Sequence, residues 1–177
     1  MPSGTARLRV LGIDPGLAAV GWGVVDLDGA RVVYRGHGCF VTKPEAGMAG
    51  RLALIRDSLK AVIAEYEPSE AAMEALYFSR NVTSALAVAE ARGVIRLACS
   101  DAGLSMSEYG PMDVKKAATG SGRSAKEDVQ SFVRLVLGLH EIPRPDHAAD
   151  ALAVALCHCQ GAGVRSALVD ASRSGRL

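Results

Sequence analysis

The chain has 177 residues and a formal net charge of +1, with 49% hydrophobic and 22% charged residues. This length suits one domain with a sizeable core, and no segment reaches the roughly 20 apolar residues that a membrane-spanning helix needs. The near-neutral charge excludes a protein that wraps nucleic acid through a uniformly basic surface.

The first 41 residues predict three strands joined by two tight turns. Pro15-Gly16 and Asp28-Gly29 separate hydrophobic runs at 7–14, 18–26 and 31–41, which we interpret as an antiparallel meander. The first strand ends in the carboxylate of Asp14, a natural ligand for a hard cation or, alternatively, a simple turn cap. Nearby glycines leave room for another group to approach the backbone closely: Gly16, Gly21 and Gly23.

The remainder of the chain alternates helices and strands. Apolar spacing predicts a helix over 47–66, a buried strand over 71–74, an alanine-rich helix over 81–102 and a strand over 104–109. A capping box at 124–127 opens a helix through Leu137, and the last helix covers 145–160. This order predicts an α/β domain over 7–160 with a five-stranded mixed sheet flanked by helices. We expect 161–177 to be a disordered basic tail.

Three carboxylates from distant segments lie at ends of predicted elements: Asp14, Glu74 and Asp150. On the last helix, Asp146 and His147 precede Asp150 by one helical turn, so each shares a face with it. Asp146 and His147 are about 100° apart around that helix and do not serve one ion equally. Such carboxylates suit two Mg²⁺ ions held about 3.5–4 Å apart. Alternatively, Asp146 only complements the helix dipole.

Positive charge is concentrated between Asp113 and Glu127, where no other acid occurs. The basic residues there are Lys115, Lys116, Arg123 and Lys126. Such a run is either a solvated face or part of a track for an anionic polymer.

The cysteines do not predict a metal site. Cys157 and Cys159 point roughly 200° apart on a helix, and we expect buried, unreactive thiols. The first residues lack the apolar segment of a secretory signal, which predicts a cytoplasmic protein whose thiols stay reduced.

Several motifs, taken together, resemble the RuvC family of bacterial Holliday junction resolvases, in order from about residue 8 to 160. They are Gly12-Ile13-Asp14-Pro15-Gly16 with Gly21, Glu74 followed by an aromatic residue and Asn81, Ala85-Leu86, Ala91-Arg92-Gly93, and Ala148-Ala149-Asp150-Ala151-Leu152. The resemblance implies an RNase H-like fold, a homodimer and metal-dependent nicking of four-way DNA junctions. It also implies products with 5′-phosphate and 3′-hydroxyl ends, and the branch-migration proteins RuvA and RuvB as partners.

The family's catalytic, metal-binding quartet falls on four residues of this chain: Asp14, Glu74, His147 and Asp150. Many members carry Asp where this chain has His147, and the softer imidazole favours Mn²⁺ over Mg²⁺. The resemblance further implies DNA contacts at Tyr77, whose ring would stack on an unpaired base or, alternatively, pack in the core. The other implied DNA contacts are Phe78, Arg80, Asn81, Lys115, Lys116, Arg123 and Lys126.

The helix over 81–102 is our expected dimer interface, because Ala85, Ala89 and Gly93 form a face of small residues. Two other functions remain open. One is a junction-binding module without catalysis, and the other is a phosphate-binding fragment like the opening segment of actin-like ATPases. The latter class needs a second lobe, for which 177 residues are too few.

Overall fold

The computed structural model describes the backbone of residues 7–76 and 82–173, and the side chains of residues 7–76 and 85–163. The strands are β1 (Leu8–Asp14), β2 (Ala19–Asp28), β3 (Arg31–Val41), β4 (Glu70–Glu74) and β5 (Ser105–Tyr109). The helices are α1 (Gly47–Tyr66), α2 (Val82–Asp101), α3 (Pro111–Thr119), α4 (Lys126–Val136) and α5 (Asp146–Arg173), with a 3-10 turn at Pro44–Ala46.

The strands form a five-stranded mixed sheet in the order β3-β2-β1-β4-β5. β1 and β2, and β2 and β3, pair antiparallel, which confirms the predicted meander. β4 and β5 run parallel to β1, because α1 and α2 return the chain to the same end of the sheet. The predicted α/β class and the mixed sheet are confirmed.

Helices cover both faces of the sheet, and the alternation along β1 assigns each side chain to a face. Leu11 and Ile13 belong to a core cluster with α1 and α2. Val10 belongs to a second cluster that includes residues of α3, α4 and α5. Asp14 therefore points to the same face as Val10, toward α5.

Close packing of α5 on the sheet explains the glycines of β1 and β2. A Cβ atom on Gly12 would lie 2.1 Å from the Ala151 carbonyl oxygen, and one on Gly21 would lie 1.9 Å from that of His147. The room that the sequence predicts beside these backbones is thus occupied by a helix of the same chain. This contact sets the height of α5 above the sheet.

The structure corrects the sequence analysis in the segment 110–137. Helix α3 was not predicted, although Pro111 at its first position and the Asp113 carboxylate, which accepts the Gly110 N–H at 3.1 Å, are start signals. The predicted capping box at 124–127 does not form, because α4 begins one residue later with Ala125 as its N-cap. Only the reverse contact is present, in which the Asp128 carboxylate accepts the Ala125 N–H at 3.1 Å. Lys115 and Lys116 therefore lie on a helix.

Helix α5 continues to Arg173, beyond the predicted end at Gln160. The division of the chain into a nuclease domain over 7–160 and a disordered tail over 161–177 stays a prediction. Of the helices in the described ranges, none combines the length and apolar character needed to cross a membrane.

The cysteines are free thiols, and burial raises the pKa of Cys99 and Cys157 to about 11 and that of Cys159 to about 12. The prediction of buried, unreactive thiols holds for these three, whereas Cys39 is only partly buried.

Candidate active site

Two of the predicted acids lie side by side at the carboxyl edge of the sheet. Ile13 of β1 pairs with Met73 of the parallel strand β4, and Asp14 and Glu74 follow directly. Because side chains alternate along a strand, Glu74 shares the face of Ala72, which packs in the cluster with α5. The sheet therefore directs both carboxylates toward the first turns of α5.

Helix α5 brings two further side chains to Asp14. Gly21 lies opposite Asp14 in the β1–β2 ladder, and the close approach of the His147 backbone to Gly21 places the imidazole beside the carboxylate. His147 Nδ1 is 2.6 Å from Asp14 Oδ2. Potential ligand atoms of Asp14, His147 and Asp150 all lie within 4.8 Å of one another.

Glu74 is not part of that three-residue group, but it lines a neighbouring cavity of about 240 Å³. Asp150 lines the same cavity, together with the side chains of Lys115 and Lys126. Asp150 thus connects the two halves of the site, and the four predicted ligands lie around one edge of the sheet.

The site brings several carboxylates together where burial limits the screening of their charges by solvent. Burial raises the pKa of Glu74 from its ordinary value of 4.5 to about 7, and the charges of Asp14 and Asp150 add to this effect. Burial also raises the pKa of Asp14, although its hydrogen bond to His147 opposes the rise. A bound cation would favour the ionised forms of both acids.

Lys126 places an ammonium group against these acids. Its Nζ lies 2.9 Å from Asp150 Oδ2 and 3.4 Å from Asp146 Oδ2. Asp146 also accepts a hydrogen bond from Arg144, and the charge of Lys126 lowers the pKa of Asp146. As predicted from their angular separation, Asp146 and His147 have different partners: Asp146 faces Lys126, and His147 faces Asp14.

The predicted DNA-binding residues separate into three groups. Lys115 and Lys126 line the cavity of Glu74 and Asp150. Lys116 lines a different groove, beside Glu108 and Gln160, and Arg123 is exposed between α3 and α4. The remaining predicted contacts lie outside the described residues: Tyr77, Phe78, Arg80 and Asn81.

One residue of this region was not predicted to take part in the site. Arg92 of α2 is only 2% exposed, and its Nη1 donates a hydrogen bond to the backbone carbonyl of Glu74. The sequence carries a signal for it, because Arg92 lies three residues before Ile95 on the apolar face of α2. A charged residue at such a position needs a buried partner.

The donor set fits a hard or borderline divalent cation. Carboxylate oxygens are the ligands that Mg²⁺ prefers, and Mn²⁺ accepts both carboxylates and imidazole. Three carboxylates and one imidazole therefore fit Mg²⁺ or Mn²⁺ better than they fit a metal that needs thiolates.

The raised pKa of Glu74 predicts that metal binding depends on pH. Because a protonated Glu74 must release its proton to bind a cation, we expect the apparent affinity for Mn²⁺ to rise by up to about tenfold per pH unit below pH 7. The affinity should level off above pH 7. Titration calorimetry at several pH values measures this, and Glu74→Gln should flatten the dependence below pH 7. A wild-type affinity that does not change between pH 5.5 and 7 would contradict the prediction.

The same shift has a consequence for the stability of the metal-free protein. The folded state holds a proton on Glu74 at pH values where the unfolded chain has lost it. The contribution of Glu74 to the free energy of unfolding is therefore fully present below the ordinary pKa of 4.5, and it is lost as the pH rises toward about 7. Urea unfolding with a chelator present, for wild type and Glu74→Gln, measures this contribution.

Comparisons with known proteins agree with this geometry. The family described as crossover junction endodeoxyribonuclease RuvC matches residues 10–158. The RuvC of Heliobacterium modesticaldum is 50% identical over 148 residues, which cover 84% of this chain and 91% of that protein. The RuvC of Rubrobacter xylanophilus is 49% identical over 149 residues, covering 84% and 83%.

Solved structures show the same similarity. T. thermophilus RuvC in complex with a Holliday junction substrate is 39% identical with a TM-score of 0.85, covering 89% of this chain and 96% of that one. The yeast mitochondrial Holliday junction resolvase Ydc2 has a TM-score of 0.67 at 13% identity, covering 90% and 81%, and so bears on the fold alone. The predicted RNase H-like fold is confirmed.

Proposed function

The chain belongs to the RuvC family of crossover junction endodeoxyribonucleases, and we propose that it is a metal-dependent Holliday junction resolvase. It resolves four-way DNA junctions by paired symmetric nicks in homologous recombination and DNA repair. The observation that carries this proposal is the convergence of Asp14, His147 and Asp150, with ligand atoms within 4.8 Å, beside Glu74.

We propose that these four residues hold two Mg²⁺ or Mn²⁺ ions. The burial and mutual repulsion that raise the pKa values of Asp14 and Glu74 support this, because a cation offsets both effects. Bound in this way, two ions would activate a water for in-line attack and stabilise the leaving oxygen of a phosphodiester. His147 would orient Asp14 through the contact at Nδ1.

The lysines supply positive charge on the side of the site that faces the cavity. Lys115 and Lys126 would contact phosphates of the substrate, and the Lys126 ammonium would offset charge that develops on the reacting phosphate. Hydrolysis that releases the 3′-oxygen leaves 5′-phosphate and 3′-hydroxyl ends.

A labelled four-way junction incubated with the purified protein and Mg²⁺ or Mn²⁺ tests the proposed function. We expect paired nicks at symmetric positions, with 5′-phosphate ends, and little cleavage of a linear duplex of the same sequence. Tight junction binding without nicking in either metal would instead support a junction-binding module without catalysis.

The two cavity lysines are expected to contribute to junction affinity through phosphates. Lys115→Ala and Lys126→Ala should weaken binding and reduce the slope of log affinity against log salt by about one unit per lost contact. Lys126→Ala should also slow cleavage at saturating protein. A salt series with Lys116→Ala measures the control, since Lys116 is adjacent in sequence but lines a different groove. Salt slopes equal to that of the wild type for both Lys115→Ala and Lys126→Ala would mean that these lysines lie on a solvated surface and contact no phosphate.

We propose a homodimer, because a four-way junction is nearly two-fold symmetric and two sites must act on like strands. The exposed face of α2 supports this: Leu86 and Leu97 are 62% and 59% exposed. Gly93 lies between them on the same face, where an added Cβ would meet nothing within 4 Å. A small residue with open space outside it suits close approach by a second helix.

A charge on this face is expected to separate the dimer. Leu97→Glu should halve the mass measured by light scattering while leaving the circular dichroism spectrum unchanged. Leu54→Glu on α1 is the matched control, since Leu54 is also exposed (41%) but lies on another helix. A Leu97→Glu variant that remains dimeric would place the interface elsewhere.

We further propose that the protein acts in the cytoplasm together with the branch-migration proteins RuvA and RuvB, as membership of the family suggests.

A further inference from the structure

Arg92 is a buried charge that neither metal binding nor the DNA contacts described above use. It lies on α2 among the buried residues that pack against β1 and β4, with 3% of its side chain exposed. Burial of a guanidinium is strongly unfavourable unless its donors are satisfied. Its surroundings therefore show what the charge does.

Both arms of the guanidinium have partners at the carboxyl end of the sheet. Nη1 donates to the backbone carbonyl of Glu74, and Nη2 donates to Glu108 Oε2 at 2.8 Å. Glu108 lies on β5, directly beside the end of β4, because Met73 pairs with Glu108 and Glu74 pairs with Tyr109. Arg92 thus clamps the last residue of β4 between a helix and the neighbouring strand.

The clamp acts on Glu74 at the point where the strand ends. The Ala75 N–H donates to the Tyr109 carbonyl at 2.8 Å, so the ladder with β5 holds one side of this backbone. Arg92 holds the carbonyl of Glu74 from the helix side. A rotation of this peptide unit would move the Glu74 side chain relative to Asp14.

We propose that Arg92 is a positioning residue that fixes Glu74 for metal binding, with Glu108 orienting the guanidinium. This inference rests on the proposed function, in which Glu74 is a metal ligand. Residues that orient a ligand in this way typically affect metal affinity by about 10–100-fold. Arg92 itself contacts neither metal nor DNA in this proposal.

Mn²⁺ affinity of the full chain, measured by titration calorimetry on chelator-treated protein, tests the proposal without reference to cleavage. Arg92→Met should weaken Mn²⁺ binding by about 10–100-fold. In a Glu74→Gln background, Arg92→Met should cause less than about a twofold further loss, because the ligand that it positions is already absent. Equal losses in both backgrounds would mean that Arg92 supports the fold generally, and would overturn the proposal.

Arg96→Met is the matched control. Arg96 also binds Glu108, with Nε 3.0 Å from Oε1, but it is 53% exposed. Within the described residues, its side chain hydrogen-bonds to Glu108 alone. We expect its Mn²⁺ affinity to stay within twofold of wild type. A loss as large as that of Arg92→Met would overturn the assignment to the Glu74 carbonyl contact.

Two further variants keep the test usable if Arg92→Met does not fold. Arg92→Lys retains the charge but cannot reach both partners in the same fork, and Glu108→Gln removes the charge that orients the guanidinium. Both should show a smaller loss of Mn²⁺ affinity that again disappears in the Glu74→Gln background. If Arg92→Met weakens Mn²⁺ binding only when Glu74 is present, while the wild type fails to nick junctions, only the proposed function is wrong. If the wild type nicks junctions and Arg92→Met weakens Mn²⁺ binding equally with and without Glu74→Gln, only the role of Arg92 is wrong.

Discussion

Asp14→Asn should abolish nicking of a four-way junction while leaving junction binding nearly unchanged. The amide keeps the shape of the carboxylate but removes a charge from the centre of the site, where Asp14 contacts His147 and lies beside Asp150. We expect a loss of at least about 10²–10³-fold in cleavage rate, the effect of removing one preorganised electrostatic group. In the proposed function, binding rests on phosphate contacts by residues such as Lys115, which the substitution does not touch.

Single-turnover cleavage and gel-shift affinity, measured on the same preparation, check this expectation. Asp57→Asn is a matched control, since Asp57 is an exposed residue of α1 whose ion-pair partner is Arg56. It should cleave at the wild-type rate. If Asp14→Asn lost both binding and cleavage with an unchanged circular dichroism spectrum, Asp14 would have a role in binding and not in metal-dependent cleavage.

Replacement of His147 should cost far more activity than replacement of the residue before it. His147 contacts Asp14 at 2.6 Å, whereas Asp146 faces Lys126 and Arg144 at the edge of the site. We expect His147→Ala to reduce cleavage by about 10²-fold or more. Asp146→Ala should reduce it by about tenfold, the low end of the range for groups outside the ligand set.

His147→Asp tests whether a carboxylate can replace the imidazole as a ligand. It places a carboxylate at this position, and it should remain active with Mg²⁺ because a carboxylate is a better ligand for that ion than imidazole. Cleavage rates of the three variants in Mg²⁺ and in Mn²⁺ decide the matter. An inactive Asp146→Ala beside a nearly normal His147→Ala would show that the ligand position is one residue earlier.

Much of the fold follows from patterns that are local in sequence. The meander, the strand Arg31–Val41 and the helix Gly47–Tyr66 are confirmed because alternation, turn residues and helical spacing act over a few neighbouring residues. Helix α3 was missed because its nine residues make only about two and a half turns, and its start depends on the side chain of Asp113. The end of α5 was misplaced because small residues after Gln160 do not by themselves determine where a helix stops.

The acids of the candidate site were predicted from sequence because Asp14 and Glu74 end strands and Asp150 lies near the start of a helix, features that are visible without contacts. Which of them meet was decided only by tertiary structure. The parallel pairing of β1 with β4 places Asp14 beside Glu74, and the glycines let α5 bring His147 down onto Asp14. Such contacts join residues more than fifty positions apart, so no local pattern encodes them.

The same reason explains the basic residues and Arg92. Lys115 and Lys116 are adjacent residues of the same type, and the sequence does not distinguish their roles. The helix that carries them directs Lys115 toward Glu74 and Lys116 toward a separate groove. In the sequence, Arg92 is one of several charged residues of a helix. Only tertiary packing buries it against the Glu74 carbonyl and Glu108. The sequence by itself determined the fold class and the family of this protein, and it named the acids that are candidate ligands. Packing of α2, α3 and α5 on the sheet decided which side chains share the site, because only long-range burial brings their charges together.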